Sequence, residues 1–319
     1  MGSPKKQYNL TNDEWANPNI HLGYLHDTIR NDAYRAAIKK YVKPGSTVVD
    51  VGCGSGILSF FAAQAGSKKI YSIESSDCCA HAKAAAALNG FSDRIHFLNQ
   101  DLFKAKLKEG IDVIIHEQIG SFLWDEGMQQ KIGYVRDRFL KKDGIILPGY
   151  FELSLVPVSL TQTVFNPYPW RKKYYGLSFR NFEKVSKEFF ERNLLPKPLM
   201  LRNESSFLTK PEVVATCDLY RPELTPPRKI QTKFEIQNTV GVCTGIVGFF
   251  EVFFDEKISF KTKPNKVLTN WGQFVLPIAD QQEVHPGDTI HVSVHPNVDP
   301  AKWKWGVSYD HTRKGKRAA

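Results

Sequence analysis

A chain of 319 residues and 36.3 kDa with 42% hydrophobic residues can bury a large core, which favours one or two globular domains and excludes a disordered chain. The net charge is +10, partly from the terminal run His311-Thr312-Arg313-Lys314-Gly315-Lys316-Arg317, which carries no interleaved aromatics or recognition motif, so no nucleic-acid partner is expected. The longest apolar run, 245–254, is interrupted by Glu251 and falls short of the roughly 18 to 20 residues that cross a bilayer, so no membrane association is expected. Five cysteines (Cys53, Cys78, Cys79, Cys217, Cys243) without paired metal spacing, in a chain with no secretory leader, point to a reducing compartment, cytoplasmic or nuclear, and imply no metal.

The first 20 residues are weakly patterned. From His21, the residues Leu22, Leu25, Ile29, Ala33, Ala36 and Ala37 recur at helical spacing and predict one helix over 21–38, ended by Pro44-Gly45. Strand-like and helix-like runs then alternate at 47–51, 58–65, 69–73, 80–88, 95–98, 111–116, 127–139 and 144–147. Such alternation predicts βαβ units, a mostly parallel Rossmann-like α/β sheet, and ligands at the carboxyl ends of its strands. Pro148 marks a boundary. Beyond it, short β-rich runs at 151–156, 213–218, 230–236, 244–254, 273–276 and 289–294 predict a sandwich or barrel. One insert, Thr163–Tyr175, is dense in aromatics and prolines and suits an exposed arm that docks on a partner.

The run Val48-Val49-Asp50-Val51-Gly52-Cys53-Gly54-Ser55-Gly56 is a strand that stops at closely spaced glycines, where backbone can approach a ligand that a Cβ would exclude. Gly52 and Gly54 are therefore expected to bind a nucleoside cofactor. The loop lacks the spacing that seats a pyrophosphate, and the Asp50 carboxylate suits an amino group or a sulfonium better than a diphosphate. S-adenosylmethionine is thus favoured over a dinucleotide. Glu74, ending the next strand, is placed to accept both ribose hydroxyls, with a solvated strand end as the alternative. Asp101 stands where an adenine border or a plain turn residue would serve equally.

Glu117 ends a buried strand and Glu126 begins a helix, nine positions on, so the segment between them returns over the pocket. Two glutamates nine apart are ordinarily solvated; behind a cofactor domain they read as a clamp. A guanidinium stays protonated and presents five donors, and two carboxylates can orient it toward a methyl donor through charge-assisted bonds.

With these motifs in order, residues 21–271 resemble a protein arginine methyltransferase. The resemblance implies a Rossmann-like S-adenosylmethionine-dependent domain over 44–148, an N-terminal segment with cofactor-covering helices over 1–43, and a β-barrel domain over 149–319 with a dimerisation arm at about 161–178. It makes Glu117 and Glu126 catalytic and adds Met128 to the cofactor site. It also gives Arg30 the cofactor carboxylate, and it implies a homodimer acting on arginine in proteins. Free arginine and a catalytically weak partner subunit are the alternative readings.

The family's Thr-His-Trp loop stands here as Thr269-Asn270-Trp271. Trp271 can wall the substrate pocket. Asn270, opposite the carboxylate of Asp27, cannot take up or release a proton, which leaves direct loss of the proton to Glu126 or to water. Tyr24 occupies the place of a methionine in asymmetric dimethylating members, and Gly120-Ser121-Phe122 resembles the symmetric-dimethylating branch. The resemblance therefore implies a monomethyl or symmetric dimethyl product. Trp15 stands as a remnant of the family's aromatic lid motif or as a surface aromatic.

Overall fold

The computed structural model describes residues 12–161, 166, 168–223 and 225–312. Most of the basic terminal run and the Thr163–Phe165 part of the insert lie outside them.

Three helices, α1 (Asn12–Trp15), α2 (Pro18–His26) and α3 (Thr28–Tyr41), precede the first strand, β1 (Thr47–Val51). The single helix expected over 21–38 is therefore two. The break falls at Asp27, whose carboxylate accepts from Arg30 N at 3.0 Å and caps α3, as short acidic side chains do at a helix start. The break also alters the inner face: Tyr34, Ala37 and Ile38 are buried, whereas Leu22 and Leu25 are exposed and Ala36 faces solvent. On α2 it is His21 and Tyr24 that turn inward, toward a cavity and not toward a core.

The parallel sheet orders β3 (Ile95–Asn99), β2 (Lys69–Glu74), β1, β4 (Ile111–His116) and β5 (Leu140–Leu147). Helices α4 (Ile57–Gln64), α5 (Cys78–Leu88) and α6 (Met128–Phe139) connect them. β1 is buried on both faces, which explains its unbroken β-branched run. The strand order reverses between β1 and β4, so their carboxyl ends diverge there and leave a crevice.

β6 (Tyr150–Val158) opens the second domain. It joins β7 (Lys197–Leu199), β8 (Glu212–Asp218), β11 (Gly245–Phe253), β12 (Ser259–Lys261) and β13 (Gln273–Pro277) in one antiparallel sheet. β9 (Ile230–Glu235), β15 (Thr289–His295) and β16 (Lys304–Asp310) form another, and β10 (Gly241–Val242) pairs with β14 (Glu283–Val284). Among the described residues no backbone ladder joins the two larger sheets. Side chains tie the seam instead: Trp305 Nε1 donates to Pro277 O at 2.7 Å and Tyr309 Oη to Asp280 O at 3.0 Å. Beyond the insert lies a helix that the sequence pattern left unmarked, α7 (Glu183–Arg192), preceded by a cluster of Trp170, Tyr174, Phe179 and Phe182. Among the described residues no helix is long and apolar enough to cross a membrane.

The two domains are joined where the crevice lies. Lys40 and Tyr41 of α3 both donate to Asp255 Oδ2, at 2.6 and 2.7 Å, and Tyr34 meets Phe254 edge-on at 4.8 Å. From the loop after β4, Phe122 inserts between Phe274 and Trp303. It passes over Gly248, where a Cβ would stand 2.4 Å from its ring, so only glycine admits it. The loop carrying both glutamates is thereby anchored in the second domain.

Candidate active site

A cavity of about 520 Å³ opens at the diverging ends of β1 and β4. One end is formed by the glycine loop, Glu74, Asp101 and Phe103; the other by Tyr24, Glu117, Glu126, Asn270 and Trp271.

The glycine loop turns sharply. Gly52 and Gly54 have φ of 71° and 51°, the left-handed region that glycine enters without strain. A Cβ on Gly52 would strike the Gln118 amide at 2.1 Å, and one on Gly54 would meet His21 at 2.9 Å. The loop is thus covered from two sides, by the segment after β4 and by α2. His21 is fixed through its Nε2 contact with Trp15 O at 2.7 Å, and Trp15 stacks on Tyr24 at 6.2 Å, so the aromatic lid folds onto the cavity. Glu74 accepts from Gly54 N at 3.0 Å and from Ser76 N at 2.8 Å, which fixes its carboxylate at the cavity edge.

Arg30 is 4% exposed and ties α2 to the residue that follows β4. Its Nη1 donates to Glu117 Oε2 at 2.9 Å and its Nη2 to Tyr24 O at 2.8 Å. Burial pushes the Glu117 carboxyl up to about 6 against the opposing pull of Arg30. Glu126 is pushed higher still, by burial and then by the charges of Glu117 and Asp125. Burial also raises the Tyr24 phenol, so it remains a neutral donor.

The loop between the glutamates holds its shape through Asp125, whose carboxylate accepts from Ser121 N at 3.1 Å and Phe122 N at 2.9 Å. Glu126 lies in the last turn of this loop, two residues before α6 and not within it. Trp271 Nε1 donates to Ile119 O at 2.7 Å, so the Thr-Asn-Trp loop grips the glutamate loop directly.

Ten residues marked from sequence line this one cavity: Tyr24, Arg30, Gly52, Gly54, Glu74, Asp101, Glu117, Glu126, Asn270 and Trp271. Three others stand behind it. Asp50 is fully buried and turns to Ser59 Oγ at 2.6 Å, because a desolvated carboxyl needs a donor and α4 supplies one; burial pushes it up to about 7. Met128 starts α6 and packs in the core. Asp27 reaches Asn270, but through the backbone: its Oδ2 accepts from Asn270 N at 2.7 Å. The contact does not use the Asn270 side chain.

Sequence reasoning overlooked Gln118, Phe103, His21 and Lys131. Lys131 did leave a signal, since it stands on the buried stripe of α6 with Met128, Ile132 and Val135.

A parallel α/β domain with a glycine loop at its switch point, closed by aromatic helices and followed by antiparallel sheets, defines a Rossmann-like methyltransferase with an appended β domain. Residues 34–124 match the family model for ribosomal protein L11 methyltransferase, and residues 162–312 match that for the arginine methyltransferase oligomerization subdomain. The chain is 29% identical to probable protein arginine N-methyltransferase 6 of Arabidopsis thaliana over 92% of its own length, and 31% identical to protein arginine N-methyltransferase 2 of Mus musculus over 88%. It spans 69% and 64% of those two relatives. Its fold matches a chain of the Trypanosoma brucei PRMT1 enzyme-prozyme complex with a TM-score of 0.80 at 23% identity, covering 94% of this chain and 95% of that one. Arabidopsis thaliana protein arginine methyltransferase 10 gives 0.77 at 24%, covering 94% and 99%. The chain belongs to the protein arginine N-methyltransferase family.

Proposed function

We propose that the chain is an S-adenosylmethionine-dependent N-methyltransferase acting on arginine guanidinium groups of protein substrates. The observation that carries this reading is that Glu117 and Glu126 line the same cavity as the glycine loop and Glu74. The cofactor suits the residues present. Gly52 and Gly54 leave room for it, Glu74 keeps carboxylate lone pairs for ribose hydroxyls, Asp101 and Phe103 border its base, and Arg30 offers a guanidinium to its carboxylate. When bound, S-adenosylmethionine supplies a methyl group on a sulfonium. Asp50 and Met128 act from behind, supporting the loop and the start of α6.

Glu117 and Glu126 clamp the acceptor guanidinium by charge-assisted bonds and aim one nitrogen at the methyl group. Trp271 walls the acceptor end. Methylation releases a proton, and Glu126, whose proton affinity is raised by its neighbours, is placed to take it. Asn270 passes no proton, because a side-chain amide neither takes up nor releases one, and Asp27 holds only its backbone N–H. Tyr24 lies stacked on Trp15 with Arg30 5.0 Å above its ring, and this fixed aromatic narrows the acceptor end, which supports a monomethyl or symmetric dimethyl product.

The test is mass spectrometry after incubation with labelled S-adenosylmethionine, with an arginine-glycine-rich peptide and free arginine in separate reactions. The peptide is expected to gain methyl groups, with fragment ions showing one methyl or one on each terminal nitrogen. Methylation of free arginine alone would make the chain a small-molecule enzyme, a reading that its net charge of +10 favours by repelling polybasic substrates. With neither methylated, the arginine transferase reading falls and a partner-subunit role takes its place.

A homodimer belongs to the same reading. The match to an oligomerization subdomain supports it, as do Tyr175 and Leu177 of the arm and Val185 and Phe189 of α7 beyond it, all more than 60% exposed. Deleting residues 168–177 is expected to halve the mass in solution by light scattering. An unchanged mass would remove the arm from the interface.

A further inference from the structure

Arg30 has a single N–H left for the carboxylate of a methyl donor. Of the five that a guanidinium carries, the one on Nε donates to Asn31 Oδ1 at 3.3 Å, the two on Nη2 go to Asn31 Oδ1 at 3.1 Å and Tyr24 O at 2.8 Å, and one on Nη1 goes to Glu117 Oε2 at 2.9 Å. Asn31 is itself held, its Nδ2 donating to Tyr24 O at 2.9 Å and Leu25 O at 3.0 Å, so the guanidinium is fixed against the end of α2. Two-point recognition of a carboxylate by paired N–H groups is therefore closed to Arg30. A carboxylate oxygen taken out of water without a donor costs affinity, so a second donor belongs beside the guanidinium.

Gln118 stands there. Val51 and His116 are partners in the β1–β4 ladder, so Gly52 and Glu117 leave the sheet side by side at the head of the crevice. Glu117 turns to Arg30. The next residue, half-buried Gln118, turns to the glycine loop, with its Nε2 so close to Gly52 that a Cβ there would stand 2.1 Å away. The other end of the amide sets its orientation: Lys131 Nζ, on the inner stripe of α6, donates to Oε1. Oxygen is thus spent on α6 and the NH2 group is turned to Gly52 and the cavity, where it meets no acceptor among the described residues. S-adenosylmethionine offers such a group one anionic partner. Its ammonium and sulfonium repel an N–H donor, its ribose hydroxyls are assigned to Glu74 and its base to the Asp101 and Phe103 border, which leaves the carboxylate.

We infer that Gln118 is a donor-binding residue, whose Nε2 supplies the second hydrogen bond that Arg30 cannot give to the carboxylate of S-adenosylmethionine, with Lys131 as the residue that orients its amide. This role rests on the assignment of Arg30 to that carboxylate in the function proposed above, and not on the identity of the methyl acceptor.

The experiment is titration calorimetry of the full chain with S-adenosylmethionine and with decarboxylated S-adenosylmethionine, which lacks the carboxylate and keeps the ammonium and the sulfonium. Gln118→Glu keeps the shape and an acceptor for Lys131 while exchanging the NH2 group for an oxygen. It is expected to raise the Kd of S-adenosylmethionine by roughly tenfold or more, the effect of losing a hydrogen bond to a charged group, and to leave the decarboxylated ligand bound as tightly as before or tighter. Gln118→Ala is expected to narrow the wild-type preference for S-adenosylmethionine in the same sense, without the added repulsion. Equal losses for the two ligands, or no loss, overturn the inference. Tighter binding of S-adenosylmethionine by the alanine variant also overturns it and makes Gln118 a strap across the glycine loop. A wild-type chain that binds both ligands equally well has no carboxylate subsite, and then the assignment of Arg30 falls together with that of Gln118; a wild-type preference that both variants retain overturns Gln118 alone.

Discussion

Glu117→Gln is expected to lower turnover by roughly a hundredfold to a thousandfold, the range seen when one preorganised electrostatic contact to a transition state is removed. The amide keeps the shape of the side chain and one oxygen to accept from Arg30, so the fold around the 2.9 Å contact is retained. What it loses is the charge that orients a cationic acceptor. Donor binding should respond differently. With its counter-charge gone, the buried Arg30 guanidinium is freer to pair with the donor carboxylate, so affinity for S-adenosylmethionine is expected to hold or tighten. Titration calorimetry beside single-turnover kinetics therefore separates a catalytic loss from a collapsed site. The pH dependence has a definite sign. In the ligand-free chain Glu117 is held near 6 by burial, so it is ionised above that value and takes a proton as pH falls through it. Wild-type kcat/KM should fall on that side. In the glutamine variant this ionisation disappears, and the like charge that raises Glu126 disappears with it. Retained turnover, or a loss matched by an equal loss of donor affinity, would remove Glu117 from its assigned role.

The parallel domain was legible in sequence because its strands are buried on both faces and its helices alternate with them, so composition and periodicity report the same element. The two glutamates were legible for a related reason: a strand that ends on a charge, followed by a loop returning to a helix, has few other uses behind a glycine turn. Reading failed where position along the chain stops predicting direction. Asp50 ends next to the glycines, yet its carboxyl turns to Ser59, because full burial makes a hydroxyl partner worth more than a view of the cavity. Met128 is two residues from Glu126 but begins a helix, and the first inward-facing residue of a helix goes to the core. The break at Asp27 was hidden because the apolar spacing on either side continues in phase through it. Lys131 was missed although the heptad pattern exposes it, since a single lysine on an apolar stripe is commonly read as snorkelling to solvent. The seam between the two larger antiparallel sheets, tied by tryptophan and tyrosine side chains, leaves no periodic trace at all.

Asp27→Ala should be the most damaging substitution outside the cavity wall. Asp27 is buried, and its two carboxylate oxygens serve different elements: Oδ1 caps α3 through Arg30 N, and Oδ2 receives Asn270 N from the loop before β13. Alanine removes the cap, at a cost of about 1 kcal/mol. It also leaves the Asn270 N–H without its acceptor, a further ~1–3 kcal/mol. Together these predict a fall in Tm of roughly 3–6 °C for a chain of this size. The effect on turnover should exceed the effect on stability. The first turn of α3 carries Arg30, and the loop carries Trp271, whose indole grips Ile119 between the glutamates. Releasing both at once misplaces the donor-side guanidinium and the acceptor wall together, and misplacements near 1 Å cost about a hundredfold in rate. Asp27→Asn separates the two contributions, because an amide oxygen still accepts one hydrogen bond and its NH2 group can satisfy neither backbone donor. It is expected to keep either the cap or the loop contact, and so to fall between wild type and alanine in both Tm and kcat/KM. If the alanine variant melts and turns over as the wild type does, then the backbone of Asn270 is held by the rest of its loop, and Asp27 does not couple the N-terminal helices to the acceptor wall.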